Sequence, residues 1–174
     1  MASAYTFAMV DPAWLDEHEF VMWRSFFYMR RDLERALEAQ LAEHGLSHAD
    51  YTVLVVLSET EGTVMRVRDL GEQISWESSR LAHHLRRMEQ RGLLVRSDAL
   101  DDRRGTLVTL TPAGLAAIRE AAPGHVDAVR RYFVDLLDAN EIEMLASISQ
   151  RVSAAVKGVP LVETRETAAA AAEG

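Results

Sequence analysis

The chain has 174 residues, 48% of them hydrophobic and 26% charged, with 19 Lys and Arg against 27 Asp and Glu for a net charge of −8. That length supports one domain or two small lobes sharing a core, and the mixture is that of a folded chain rather than a disordered one. Cysteine is absent, which excludes disulfide scaffolds, thiolate zinc sites, iron–sulfur clusters, cysteine nucleophiles and cysteine redox sensors.

Residues 1–12 read as an N-terminal extension. The first eleven residues carry no Lys or Arg, so no secretory n-region is expected there. No uncharged run reaches the roughly 18–20 apolar residues of a membrane span, and the expectation is a cytoplasmic protein without a membrane partner. From Trp14 to about Glu43 there is no Gly or Pro, and Leu15, Met22, Phe26, Met29, Leu33, Leu37 and Leu41 recur at helical steps, which predicts one long helix with an apolar stripe. His44-Gly45 ends it. Ser47 with Asp50 three residues later resembles a capping box. The β-branched run from Tyr51 to Leu57 suits a buried strand by periodicity alone, but the cap favours a helix to about Glu59.

After Glu61-Gly62, Val64 to Val67 predicts a short strand and Asp69 to Ile74 a short helix. A turn around Ser75 leads into a helix from about Glu77 to Arg91, closed by Gly92. Leu93 to Arg96 and Thr106 to Leu110 read as two strands of a hairpin around a polar loop, Ser97 to Gly105. Thr111-Pro112 supplies an N-cap and an N1 proline for the next helix. Pro123-Gly124 is expected to kink or interrupt it near Ala122, with resumption from about His125 to Leu137. Asp138 and Glu141 form a second capping box, opening a last helix to about Lys157. Residues 158–174 form an alanine-rich tail expected to be mobile. The predicted fold class is mainly α with a small β-hairpin wing (α+β), a helix-turn-helix and hairpin flanked by long helices.

Charge is distributed unevenly along this order. Residues 1–79 hold 6 basic and 14 acidic side chains, residues 80–104 hold 7 arginines and 4 acids, and residues 105–174 hold 6 and 9. One short basic segment therefore sits inside an acidic protein, and attraction toward nucleic acid depends on local patches rather than totals. On the 77–91 helix, with Leu81 at 0° and about 100° per residue, Leu85 and Met88 fall within about 40° of Leu81 and form the buried stripe. Ser79, Arg80, His83, Arg86 and Arg87 fall between about 140° and 260°, on the opposite face. Arginine forks onto guanine O6 and N7, and Ser or His reaches a base edge or a phosphate. Ser78, at the helix start, stands where recognition helices make N-terminal contacts. Arg103 and Arg104 stand in the predicted hairpin loop, where an arginine can enter a minor groove. A charge run more often merely solvates a helix face, but here a short helix precedes it and a hairpin follows.

At these residues the chain resembles the multiple antibiotic resistance regulators (MarR family), winged helix-turn-helix transcription factors. Leu70-Gly71-Glu72-Gln73-Ile74 is similar to the family's first motif helix. Ser78 to Leu94 is similar to its recognition helix and exit, and Asp102 to Gly114 is similar to its wing signature of Asp, Arg, a strand, then Leu-Thr and Gly. The resemblance covers about residues 13–157. It implies a homodimer joined by residues 13–45 and 112–157, with residues 46–111 as the lobe that binds double-stranded DNA. It implies a transcriptional regulator, here read as a repressor, on a pseudo-palindromic operator with half-sites about one turn, ~34–36 Å, apart. It also implies a pocket for a small aromatic or phenolic effector, for which Trp23, Phe27, Arg30 and Tyr51 are the candidates. Helical spacing explains those aromatics without a ligand as well. The chain departs from the pattern at Trp76-Glu77, where Trp76 is expected to pack in the turn rather than read bases.

No metal or other cofactor is expected. His44 and His48 have zinc-like spacing, but Gly45 and Ser47 break the helix that would align them, and His83 and His84 face different ways. No nucleophile elbow or glycine-rich phosphate loop is present, and Asp101-Asp102 lies in a loop unsuited to raised pKa values, so the chain is not expected to be an enzyme. A winged-helix module that binds only protein is the alternative suggested by overall acidity, and the clustered arginines argue against it. A metal or small-molecule sensor without DNA is the third reading, which thermal stabilisation by divalent ions or aromatic acids would reveal.

Overall fold

Asp16 opens the first helix: its side chain accepts from the Glu19 amide while Glu19 returns a bond to the Asp16 amide. Together they satisfy two of the free donors that every helix start exposes. The computed structural model describes residues 14–98 and 105–158. It contains α1 (Glu17–Ala42), α2 (His48–Glu59), a 3-10 turn (Glu61–Thr63), β1 (Val64–Arg66), α3 (Val67–Ile74) and α4 (Ser78–Gln90). There follow β2 (Leu94–Asp98), β3 (Thr106–Leu110), α5 (Pro112–Tyr132), a second 3-10 turn (Val134–Leu136) and α6 (Ala139–Lys157). The expected extension at 1–12, the loop residues 99–104 and most of the tail lie outside the described residues.

The segment with ambiguous periodicity is helical. Both halves of the Ser47–Asp50 capping box form, at 2.9 and 3.1 Å, and the apolar run buries Val53, Leu54 and Leu57 on one side of α2. A matching box at Asp138 and Glu141 starts α6.

The hairpin is one part of a three-stranded antiparallel sheet in the order β1-β3-β2. Val64 pairs with Thr109 and Arg66 with Leu107 on one side of β3, while Leu94 pairs with Leu110 and Asp98 with Thr106 on the other. The short Val64 segment is thus the third strand, because isolated strands leave their backbone groups unpaired and β3 offers a free edge.

Of the kink or interruption expected at Pro123-Gly124, the interruption is absent, and α5 is helical from Pro112 to Tyr132 with Pro123 inside it. A proline there forgoes one backbone bond and crowds the preceding turn. Burial of Ile118 and Ala121 before it and Ala128 after it holds both halves of the helix in place. Gly124 approaches α1 so closely that a Cβ would lie 2.8 Å from Gln40 Nε2. The helix ends at Tyr132 rather than Leu137, and the residues between form the 3-10 turn.

Two compact units divide the chain, the first ending at Ala128 and the second beginning at Val129. The core of the first unit gathers Leu54 and Leu57 of α2, Leu70 of α3, Leu81, Leu85 and Met88 of α4, Leu94 and Val108 of the sheet, and Ile118 of α5. From α1 only Leu41 is buried, while Phe20, Trp23, Phe26, Phe27 and Met29 remain exposed, as does Trp14 ahead of the helix. In the second unit α6 buries nothing, and Met144, Ile148, Val152 and Val156 are exposed along it.

Candidate nucleic-acid interface

Helix α4 is positioned by the turn before it. Ser75 adopts a left-handed conformation (φ 55°) and ends α3, with the Trp76 amide bonded back to the Gly71 carbonyl at 3.0 Å. Gly71 lets α4 approach: a Cβ there would lie 3.2 Å from Leu81 Cδ2. The buried stripe of α4 is Leu81, His84, Leu85 and Met88. Ser79, Arg80, His83, Arg86 and Arg87 are exposed on the face that the helical spacing assigns to them, and Ser78 is exposed at the helix start. No acid lies in the first turn, and the N-cap residue Glu77 makes no side-chain capping bond, so the first amide donors of the helix are left without a side-chain acceptor.

The seven arginines of residues 80–104 divide into classes. Arg91 donates from Nη1 to Asp50 Oδ2 at 2.8 Å and from Nη2 to the Gly45 carbonyl at 2.6 Å, tying the end of α4 to the α1–α2 corner. Arg96 makes a fork onto Glu89, with Nε at 3.0 Å and Nη2 at 2.7 Å from Oε2. These two are structural. Arg80 lies over the Trp76 ring, 4.4 Å from its centroid. Arg87 Nη2 lies 2.8 Å from His84 Nδ1, and Arg86 has no ion-pair partner among the described residues. Arg103 and Arg104 lie outside those residues.

Asp50 and His84 were not legible as part of this site, because the sequence marks Asp50 only as a cap. His84 sits three residues after Leu81 and four before Met88, which places it on the inward stripe; that spacing was the available signal. Its Nε2 is 3.1 Å from Asp50 Oδ1, a close charge–dipole contact off the axis of a directed hydrogen bond. Burial raises the Asp50 pKa, but hydrogen bonds from the Ser47 amide and from Arg91 outweigh it and leave the carboxyl below its ordinary value.

Burial is the largest influence on two histidines and pulls both below the ordinary 6.5. For His84 the Arg87 charge adds to it against the pull of Asp50; for His125 the His48 charge adds to it. The folded protein therefore binds these protons less readily than the unfolded chain, and stability is complete above 6.5 and falls as pH drops through 6.5 toward the lower folded values. Thermal melts across that range are expected to show a falling Tm on acidification. A Tm that stays level or rises there contradicts the burial of both rings.

Of the candidate effector residues, Phe27 and Arg30 lie together on α1. Trp23, Phe27 and Arg30 are exposed on α1, with the Arg30 guanidinium 5.8 Å from the Phe27 ring and its Nη1 2.7 Å from Glu34. Tyr51 is half-buried on α2, its ring 4.2 Å from that of His125. His44 Nδ1 is 3.9 Å from Glu120. Among the described residues no three His, Cys, Asp or Glu side chains are grouped to hold a metal ion, and no helix is long and apolar enough to cross a membrane.

Trp76 is half-buried and packs against the core, as expected for a large aromatic in that turn. The loop-side end of the sheet, the exposed α4 face and the tight α3–α4 turn together make a winged helix-turn-helix.

Comparison with known proteins agrees with this architecture. The MarR family model matches residues 46–106. AbsC, a MarR family transcriptional regulator of Streptomyces coelicolor, is 39% identical, with a TM-score of 0.81 over 83% of this chain and 98% of AbsC. Sco3205, a regulator of the same family and organism solved in complex with DNA, is 34% identical, with a TM-score of 0.82 over 85% of this chain and 93% of its own. The organic hydroperoxide resistance transcriptional regulator of Bacillus subtilis is 33% identical over 92 residues, which are 53% of this chain and 60% of that protein. With the order of elements, the three-stranded sheet and near-complete coverage of two such structures in accord, this chain belongs to the MarR family.

Proposed function

We propose that this protein is a homodimeric, sequence-specific regulator of transcription that binds double-stranded DNA in the cytoplasm and acts as a repressor. The single observation that carries the reading is the exposed α4 face, where Ser79, Arg80, His83, Arg86 and Arg87 stand together, with Ser78 exposed at a helix start that has no acid in its first turn. The DNA complex of a 34% identical relative supports it. Residues 46–111 form the reading lobe, with α4 in a major groove and Arg103 and Arg104 reaching the adjacent minor groove. Residues 13–45 and 112–157 form the dimer contact. The exposed apolar residues of α1, and separately those of α6, support it, since contiguous apolar faces of this kind mark interaction surfaces. An isologous pair implies a pseudo-palindromic operator. A small aromatic or phenolic effector acting through Trp23, Phe27, Arg30 and Tyr51 releases the DNA.

Duplexes selected by the protein from a random-sequence pool, titrated by fluorescence anisotropy at several salt concentrations, test the reading. Phosphate neutralisation by about 6–10 cationic contacts gives a slope of log K against log salt of roughly −5 to −9. Failure to bind any duplex, or an affinity indifferent to salt, overturns it. Phenolic acids added to the complex are expected to lower the affinity, and an unchanged affinity overturns the effector role alone.

A further inference from the structure

The reading face is held by side chains that do not themselves belong to it. Arg80 and Arg87 are long, flexible residues that ordinarily sample many rotamers on a helix surface. Here each leans on a partner with its own support. The Arg80 guanidinium lies 4.4 Å from the centroid of the Trp76 ring, a cation–π distance, and Trp76 is packed against the core. Arg87 Nη2 meets His84 Nδ1 at 2.8 Å. Guanidinium has only donors, so Nδ1 accepts and the imidazole proton resides on Nε2, toward Asp50. The two supports also touch, with the Trp76 and His84 rings edge to face at 5.3 Å and 86°. Behind them Asp50 is fixed by the Ser47 amide and by Arg91.

We propose that Trp76 and His84 are positioning residues that set the directions of Arg80 and Arg87 before DNA arrives, and so determine operator selectivity. The inference rests on the DNA-binding reading above. Its logic is a difference between two kinds of contact. A phosphate accepts a cation from many directions, whereas the O6 and N7 atoms of guanine accept an arginine fork in one plane. Removing a support leaves the number of charges unchanged and leaves phosphate attraction in place, while the ordering that the fork requires must then be supplied at binding.

The test compares Trp76→Leu and His84→Leu with Trp76→Phe and His84→Asn. Leucine keeps bulk but removes the aromatic face or the acceptor; phenylalanine keeps a face, and asparagine keeps an acceptor near the place of Nδ1. The duplexes are the one selected by wild type from a random pool and a scrambled duplex of equal length. Each leucine variant is expected to lower the selected-to-scrambled affinity ratio by about tenfold, with scrambled binding and salt slope changed by less than about twofold, and the conservative variants are expected to recover most of the ratio. In the free wild-type protein the Arg80 side-chain protons should show an upfield ring-current shift by NMR that Trp76→Phe preserves and Trp76→Leu abolishes. That measurement on wild type decides the point even where a leucine variant does not fold. Unchanged ratios across folded variants, or an unshifted Arg80, overturn the proposal while DNA binding stands. A wild type that binds no duplex overturns the reading beneath it, and with it this role.

Discussion

Replacing Gly114 with alanine is expected to cost about 3 kcal/mol or more of folding stability, at or beyond the upper end of ordinary overpacking. A Cβ at this position would lie 2.0 Å from the Leu93 carbonyl oxygen, 3.0 Å from its carbonyl carbon and 2.8 Å from Leu110 Cδ1. Two of those three atoms are backbone, so no rotamer change relieves the clash. The surrounding bonds make retreat expensive. The Gly114 amide donates to Thr111 Oγ1 at 3.0 Å, the Thr111 hydroxyl donates to the Gly92 carbonyl at 2.7 Å, and the Thr111 amide donates to the Leu93 carbonyl at 3.2 Å. Moving α5 outward therefore disturbs its own cap and the chain leading into β2. Urea unfolding is expected to show a lower midpoint with an unchanged slope, and Tm is expected to fall by roughly 6–12 °C at this chain length. A midpoint equal to that of the parent would refute the close approach.

The second large effect concerns binding. The combined change of Arg80, Arg86 and Arg87 to alanine is expected to weaken duplex binding by at least about a hundredfold at fixed salt, since a lost base contact costs about 1–3 kcal/mol, with the salt slope falling by about one for each of them that meets a phosphate. Folding stability should change little, because all three side chains are exposed and surface changes of this kind are usually within about 0.5 kcal/mol each. The contrasting pair is Arg91→Ala with Arg96→Ala. Those arginines are engaged by Asp50 and Glu89, so their removal is expected to lower Tm while the salt slope is retained. Anisotropy titrations and thermal melts on both variants separate the two classes. If the triple variant binds with the parental slope, the α4 face does not meet the phosphates.

This contrast shows where local pattern stops being informative. All of these arginines lie within one basic stretch of 25 residues in the sequence, and nothing local distinguishes a guanidinium that faces solvent from one bonded to a carboxylate far away. Arg91 and Asp50 are 41 positions apart, and Arg91 reaches Gly45 across 46. The Trp76–Arg80 stack, in contrast, spans four positions across the turn. Its possibility was open from the spacing, although its formation depended on the burial of Trp76.

What could be read directly from residue order was everything governed by neighbours within a turn or two. The capping boxes at Ser47–Asp50 and Asp138–Glu141, the Thr111 cap and the alternation of buried Leu81, Leu85 and Met88 with an exposed basic face all follow from hydrogen bonds or periodicities that close over three or four residues. The box at Asp16–Glu19 obeys the same rule. Folding in three dimensions settled the rest. It recruited Val64–Arg66 to the free edge of β3, kept α5 helical through Pro123 by packing on both sides, and placed His84 against Asp50. Each of these outcomes weighs a local preference against contacts with distant segments, and those contacts exist only once the core has assembled.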